Sequence, residues 1–186
     1  MRRRESLWQR AAHLLTGATV AILLLSLGLP AVAQDKVWRL GLLSAGYASG
    51  SGAGHPIADS GALGERADLV RHSSRAPGPG QDGPHAHQFI TSPDGGHVLA
   101  VDLGTDTVYS YRLDERAGTL TEVARAQARP GAGPRHLTFH PGGRHAYLAN
   151  EVDDTVTVCA YDPSTGRLTI GAPQSTGSRA SVTNYP

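Results

Sequence analysis

Residues 87–121, "HQFITSPDGGHVLAVDLGTDTVYSYRLDERAGTLT", recur without a gap at 135–169 as "RHLTFHPGGRHAYLANEVDDTVTVCAYDPSTGRLT", an offset of 48 residues. Pro93, Gly95 and His97 fall on Pro141, Gly143 and His145, and Asp106, Thr107 and Val108 fall on Asp154, Thr155 and Val156. Asp114, Gly118, Leu120 and Thr121 fall on Asp162, Gly166, Leu168 and Thr169. A repeat of this period restricts the chain to an array of one supersecondary unit, because each unit buries its apolar face only against a neighbour. Inside the unit, apolar residues alternate over "HQFITS", "HVLAVDL", "TVYSYRL" and "TLTEVARA". The separators "PDGG", "GTD" and "DERAG" carry the Gly, Asp and Pro that tight turns need. Each unit therefore reads as four short antiparallel strands.

Four such strands per period of roughly 40–50 residues is the signature of a β-propeller blade, so the fold class is all-β. The "GAL" of residues 61–63 aligns with "GTL" and "GRL" of the two full units, which makes residues 55–72 the tail of a preceding blade with "GAL" in its outer strand. "ASVTNYP" at the end reads as the approach to another. About two to three blades are expected over residues 55–186. With 23 Gly, 12 Pro and only 5% aromatic residues, the composition suits short strands joined by turns better than a helical bundle. Residues 73–84, "SSRAPGPGQDGP", have no periodicity and read as a loop. A net charge of +1 offers no electrostatic footprint for nucleic acid. The single Cys159 excludes an internal disulfide and a cysteine-based zinc site, and its alternating apolar run predicts a buried thiol.

Ahead of the repeats, "MRRRESLWQR" is a basic leader and "LLTGATVAILLLSLGL" an apolar stretch, followed by the small-residue pattern "AVAQ". Residues 1–33 are expected to be a signal-like helix cleaved after Ala33, with export to the periplasm or medium and no stable membrane span afterwards. A retained anchor is the alternative, since the apolar stretch is close to spanning length. Residues 34–54 read as a linker or fusion segment in which glycine and serine dominate through Gly54.

The first strand of each propeller blade lines the central channel, so equivalent positions in successive blades are neighbours on one rim. His87 and Arg135 are equivalent in the repeat. Glu151, which follows "YLAN", matches Leu103 and falls at the end of the second strand, where a carboxylate can face the same end of the channel. A His, an Arg and a Glu converging there suit an anionic substrate: the guanidinium clamps a carboxylate or phosphate, and the imidazole moves protons near neutrality. From the repeat alone a structural role is the alternative, with His87 bonding a neighbouring blade and Arg135 bridging blades. His85, His87, His136 and His140 raise a metal site as a further alternative. "HAH" puts His85 and His87 on one face, but His136 is expected opposite Arg135 and no cysteine lies near, so no metal or cofactor is assigned. His85 and His136 are assigned to substrate contact instead. His97 and His145 follow turns and are expected to be exposed. "SPDGGH" and "HPGGRH" are turns and not phosphate loops, because no helix follows them.

The stretches "QDGPHAHQFITSPDGGHVLAVDLGTDTVYSYRLD", "PGAGPRHLTFHPGGRHAYLANEVDDTVTVCAYD" and "GHPIADSGALGERADLVRHSS" resemble the lactonase family of seven-bladed β-propellers, which includes bacterial 6-phosphogluconolactonases and fungal carboxy-cis,cis-muconate cyclases. The resemblance implies hydrolysis of a small-molecule lactone. It also implies that His87, Arg135 and Glu151 are active-site positions: His87 for proton transfer, Arg135 for the anion, Glu151 for orienting water or the His. A second family arginine comes from a later blade and has no match here. Two whole units and part of a third stand where the resemblance implies seven, so a partial chain is expected, fused near residues 48–54 and able to self-associate through exposed blade edges. The resemblance also implies cytoplasmic relatives, in tension with the export signal.

Overall fold

The computed structural model describes residues 51–177, and the expected signal segment, most of the linker and the "ASVTNYP" terminus lie outside them. Ten strands among the described residues form three antiparallel sheets. Strands β1 (Ser51–Gly54) and β2 (Asp68–Arg71) pair with each other. Strands β3 (Ala86–Thr91), β4 (His97–Asp102), β5 (Thr107–Asp114) and β6 (Thr119–Gln127) form a four-stranded meander in chain order. Strands β7 (Pro134–Phe139), β8 (His145–Asn150), β9 (Thr155–Asp162) and β10 (Arg167–Ser175) form a second one. These are two propeller blades and the outer pair of a third, and the strands predicted from the repeat agree with them to within a residue or two at each end.

The turns explain why the repeat keeps the residues it does. Gly95 and Gly143 sit at φ 74° and 68° in the β3–β4 and β7–β8 turns, a left-handed backbone that costs a glycine nothing. Asp106 and Asp154 both adopt φ 52°, which Asp tolerates better than most residues. The "GTD" separator is more than a turn: Leu103–Thr105 forms a single turn of 3-10 helix, capped by the Asp102 side chain, which accepts from Thr105 N at 3.1 Å.

Alternation along β4 sends successive side chains to two different cores. Leu99 and Val101 point between the blades, where they join Val108, Leu137, Leu148, Cys159, Tyr161 and Leu168. Val98 and Ala100 point the other way, onto Tyr109, Tyr111 and Leu120, with Val70 of β2 and Phe89 packed alongside. Every residue of β4 is buried because the sheet is covered on both faces, whereas β8 alternates, with Tyr147 40% exposed and Ala146 and Leu148 fully buried. A buried Leu or Val here contributes about 1.5–3 kcal/mol through removal of apolar surface from water.

Three sequence expectations are corrected. The glycine and serine run does not remain a loop through Gly54: its last four residues form β1. Smallness is the reason, since a Cβ on Gly52 would lie 2.1 Å from the Phe89 ring, which packs onto the bare backbone. The "GAL" segment is not a ladder strand; Leu63 makes an isolated bridge to Ile57, and the strand that pairs with β1 is Asp68–Arg71. His97 is not exposed. It is 4% accessible, its Nδ1 lies 3.1 Å from the Tyr161 hydroxyl, and its ring is packed so closely on Gly166 that a Cβ there would come within 2.5 Å. His145, its repeat mate, is exposed as expected because nothing in the described residues covers that face of the second blade.

Candidate active site at the rim of the first strands

The pairing register shows how the two blades aim their rim residues. In β3, Ala86 pairs with Asp102 and Gln88 with Val101, leaving His87 as the extra residue of a β-bulge. In β7, Pro134 pairs with Asn150 and His136 with Ala149, leaving Arg135 in the same situation. A bulge breaks the alternation of a strand and re-aims its side chains. The His136 ring meets the His87 ring edge-on at 6.3 Å. The His85 ring lies 4.8 Å from that of His87.

Arg135 and Glu151 form an ion pair, Nη1 to Oε2 at 3.1 Å, with both side chains about one quarter exposed (26% and 25%). Glu151 is the first residue after β8, and its N–H donates to the carbonyl of Gly133, two residues before Arg135, at 2.8 Å. Arg135 Nε is buried with no hydrogen-bond partner, so the guanidinium keeps donor capacity in reserve beside its carboxylate. The blades are tied together directly beneath the rim, where Leu137 N donates to Gln88 Oε1 at 2.5 Å.

His87 lies at the centre of this group. Its pKa is lowered from the ordinary 6.5, first by burial and then by the positive charge of Arg135, with His85 and His136 acting in the same direction and Glu151 opposing them. The imidazole is therefore neutral at pH 7 and available to accept a proton. The arrangement thus offers a neutral base beside a cation that is only partly neutralised by its own carboxylate. His140 stands apart from it, with its ring against Tyr147 at 6.4 Å. Among the described residues no group of three or more His, Cys, Asp or Glu side chains is placed to hold a metal ion.

The profile of the family described as "Lactonase, 7-bladed beta-propeller" matches residues 32–184. The chain belongs to the lactonase family. Lactonase relatives include the 6-phosphogluconolactonase of Bacillus subtilis, 37% identical over 127 residues, which are 68% of this chain and 36% of that protein. A solved structure of a Lactobacillus plantarum protein superposes with a TM-score of 0.67 at 38% identity, covering 72% of this chain and 38% of that one. The periplasmic gluconolactonase of Pseudomonas aeruginosa superposes with a TM-score of 0.63 at 34% identity, covering 71% of this chain and 37% of its own. The chain spans a little over a third of the length of these relatives.

Sequence reasoning missed four buried polar residues, Asp102, Asp106, His72 and Gln81. Asp102 pairs with His72 and accepts from the N–H of His85, and Asp106 accepts from Gln81 Nε2 and the N–H of Gly133. The available signal was the Asp106–Asp154 identity in the repeat, together with the change from Asp102 to Asn150.

Proposed function

We propose that the chain is a lactone hydrolase acting on a sugar lactone at the rim carrying His87, Arg135 and Glu151. The observation that carries this reading is the convergence of a neutral His87 with the Arg135–Glu151 pair, on bulges of adjacent first strands, in a member of the lactonase family. His87 takes a proton from water as the water oxygen attacks the lactone carbonyl. The ring C–O bond then breaks, and the imidazolium returns the proton to the departing alkoxide, giving the open hydroxy acid. Arg135 holds the anionic group of the substrate or the oxyanion. Glu151 fixes the guanidinium and favours the imidazolium once it forms, and His85 and His136 contact the substrate.

The test is lactone opening by the full chain, followed by acid release from a δ-lactone above its spontaneous rate, for wild type and His87→Ala. The expected loss is roughly 100-fold or more, the usual contribution of general base catalysis. Full activity in His87→Ala removes the base assignment, and a wild type no faster than the spontaneous rate removes the hydrolase reading.

One observation favours a second reading, a non-catalytic blade module within a larger assembly. The second blade leaves Tyr147 and Val158 40% and 47% exposed on the face whose first-blade equivalent, with Leu99, is fully covered. Self-association through that face belongs to this reading, and lactone binding that survives Ala at positions 87, 135 and 151 would support it. Export is proposed from the leader and is in keeping with the periplasmic lactonase among the structural relatives. No helix among the described residues is long and apolar enough to cross a membrane.

A further inference from the structure

The turn that joins β4 to β5 touches both segments of the rim. Asp102 and Asp106 flank its 3-10 helix, and both are buried, at 0% and 1% exposure. Asp102 Oδ1 accepts from the N–H of His85 at 2.8 Å and from Thr105 N at 3.1 Å, and Oδ2 lies 2.5 Å from His72 Nδ1. Asp106 Oδ1 accepts from the N–H of Gly133 at 2.8 Å and from Gln81 Nε2 at 2.7 Å, while Oδ2 accepts from Gly131 N at 2.6 Å. His85 stands two residues before His87, and Gly133 stands two residues before Arg135. One carboxylate therefore holds the backbone leading into the base, and the other holds the backbone leading into the cation.

We propose that Asp102 and Asp106 are positioning residues that set the separation of His87 and Arg135 through the main chain at His85 and Gly133.

Three further observations support this. First, the turn has no slack. A Cβ on Gly104 would lie 1.8 Å from the Gly83 carbonyl oxygen, Leu103 N donates to His85 O at 3.0 Å, and Ala76 N donates to Gly104 O at 2.8 Å. Second, a buried carboxylate is expensive unless it is paired and bonded, and both of these have three donors each. Third, blade folding alone does not require the first of them. Asn150, the repeat mate of Asp102, ends β8 in the same way, yet its Nδ2 donates to the Thr155 and Thr157 hydroxyls at 2.9 and 3.2 Å. The charge at position 102 is a property of the blade that carries His87. His72 supports it from the preceding strand pair, stacked on Tyr109 at 3.8 Å and bonded through Nε2 to the Tyr111 hydroxyl at 2.9 Å.

This inference rests on the rim being the reactive site, but its test does not. Amide hydrogen exchange is measured residue by residue in the full chain for wild type, Asp102→Asn and Asp106→Asn. Asn has one acceptor oxygen where Asp has two, so Asp106→Asn must set an NH₂ group against the N–H of Gly131 or the Gly133–Gln81 pair. Exchange at Gly131 or Gly133 should rise roughly tenfold or more with His85 unchanged, and Asp102→Asn should raise exchange at His85 and Thr105 with Gly133 unchanged. In the lactone assay, Asp106→Asn should raise KM and Asp102→Asn should lower kcat. Exchange that is unmoved, or that rises equally at both segments and in the β4 core, overturns the proposal. If a variant fails to fold, wild-type exchange decides: the His85 and Gly133 amides must be as protected as those of Val98 and Leu99, and solvent-like rates overturn it. Local exchange effects without any lactone hydrolysis leave the positioning role standing and remove the hydrolase reading.

Discussion

Replacing Gly104 by Ala tests how tightly the fold is coupled to the rim. Gly104 is buried in the 3-10 turn in a backbone conformation open to any residue, so alanine introduces no dihedral strain. The whole cost comes from the new methyl group, 1.8 Å from Gly83 O and 2.8 Å from His85 N. Both neighbours are backbone atoms, which cannot step aside as the end of a flexible side chain can, so the Gly83–His85 segment must lift from the turn. Two hydrogen bonds go with it: His85 N to Asp102 Oδ1 and Leu103 N to His85 O. At about 1 kcal/mol net each, the loss is about 2 kcal/mol. With a urea m-value of about 2 kcal/mol/M the unfolding midpoint should fall by roughly 1 M. Gly83→Ala is the control, since a Cβ there meets nothing within 4 Å and should change stability by about 0.5 kcal/mol or less. Equal midpoints for Gly104→Ala and Gly83→Ala would refute the argument that the turn and the His85 segment are locked together.

The two faces of the second blade should respond differently. Leu148→Ala, in the core between the blades, should cost about 2–5 kcal/mol, and Tyr147→Ala, one residue away and 40% exposed, well under half of that by urea unfolding. The charges around His87 should be readable by NMR titration of its ring. Arg135→Gln should raise its pKa and Glu151→Gln should lower it further, because the two charges act on it in opposite directions. The same lowered pKa sets a stability trend. The unfolded chain takes up this proton first as pH falls below 6.5, so the His87 contribution erodes on acidification through that range and is absent as a penalty above it, which urea midpoints at pH 8 and pH 5.5 would show. Cys159, fully buried and with its thiol pushed up to about 11, should resist a thiol reagent in the native state and react in urea.

The strands were legible because their evidence is local. Period-two alternation and turn residues sit within a few positions of one another, and the repeat states them twice. The neighbourhood of His87, Arg135 and Glu151 was legible for a related reason: repeat equivalence converts a separation of 48 residues into adjacency on one rim. What alternation could not supply is the bulge at each of those positions. A bulge is a fact about two strands, since His87 becomes the extra residue only when Ala86 meets Asp102 and Gln88 meets Val101. The same holds in β7, where Arg135 becomes the extra residue only when Pro134 meets Asn150 and His136 meets Ala149.

Burial of the histidines shows a second limit. His97 and His145 are the same residue in the same turn of the same unit, and sequence gives no ground for separating them. Their fates differ because Tyr161 and Gly166 of the next blade cover His97, while nothing in the described residues covers His145. In a repeat protein the unit specifies the strand, and the neighbour decides whether a given face is core or surface. The same logic applies to the rim. Asp102 and Asn150 end equivalent strands, but only Asp102 meets a histidine from the preceding strand pair and an N–H from the segment leading to the base. The two units differ at most of their aligned positions, and among those differences 87 against 135, 103 against 151 and 102 against 150 are the ones on which the proposed rim chemistry rests.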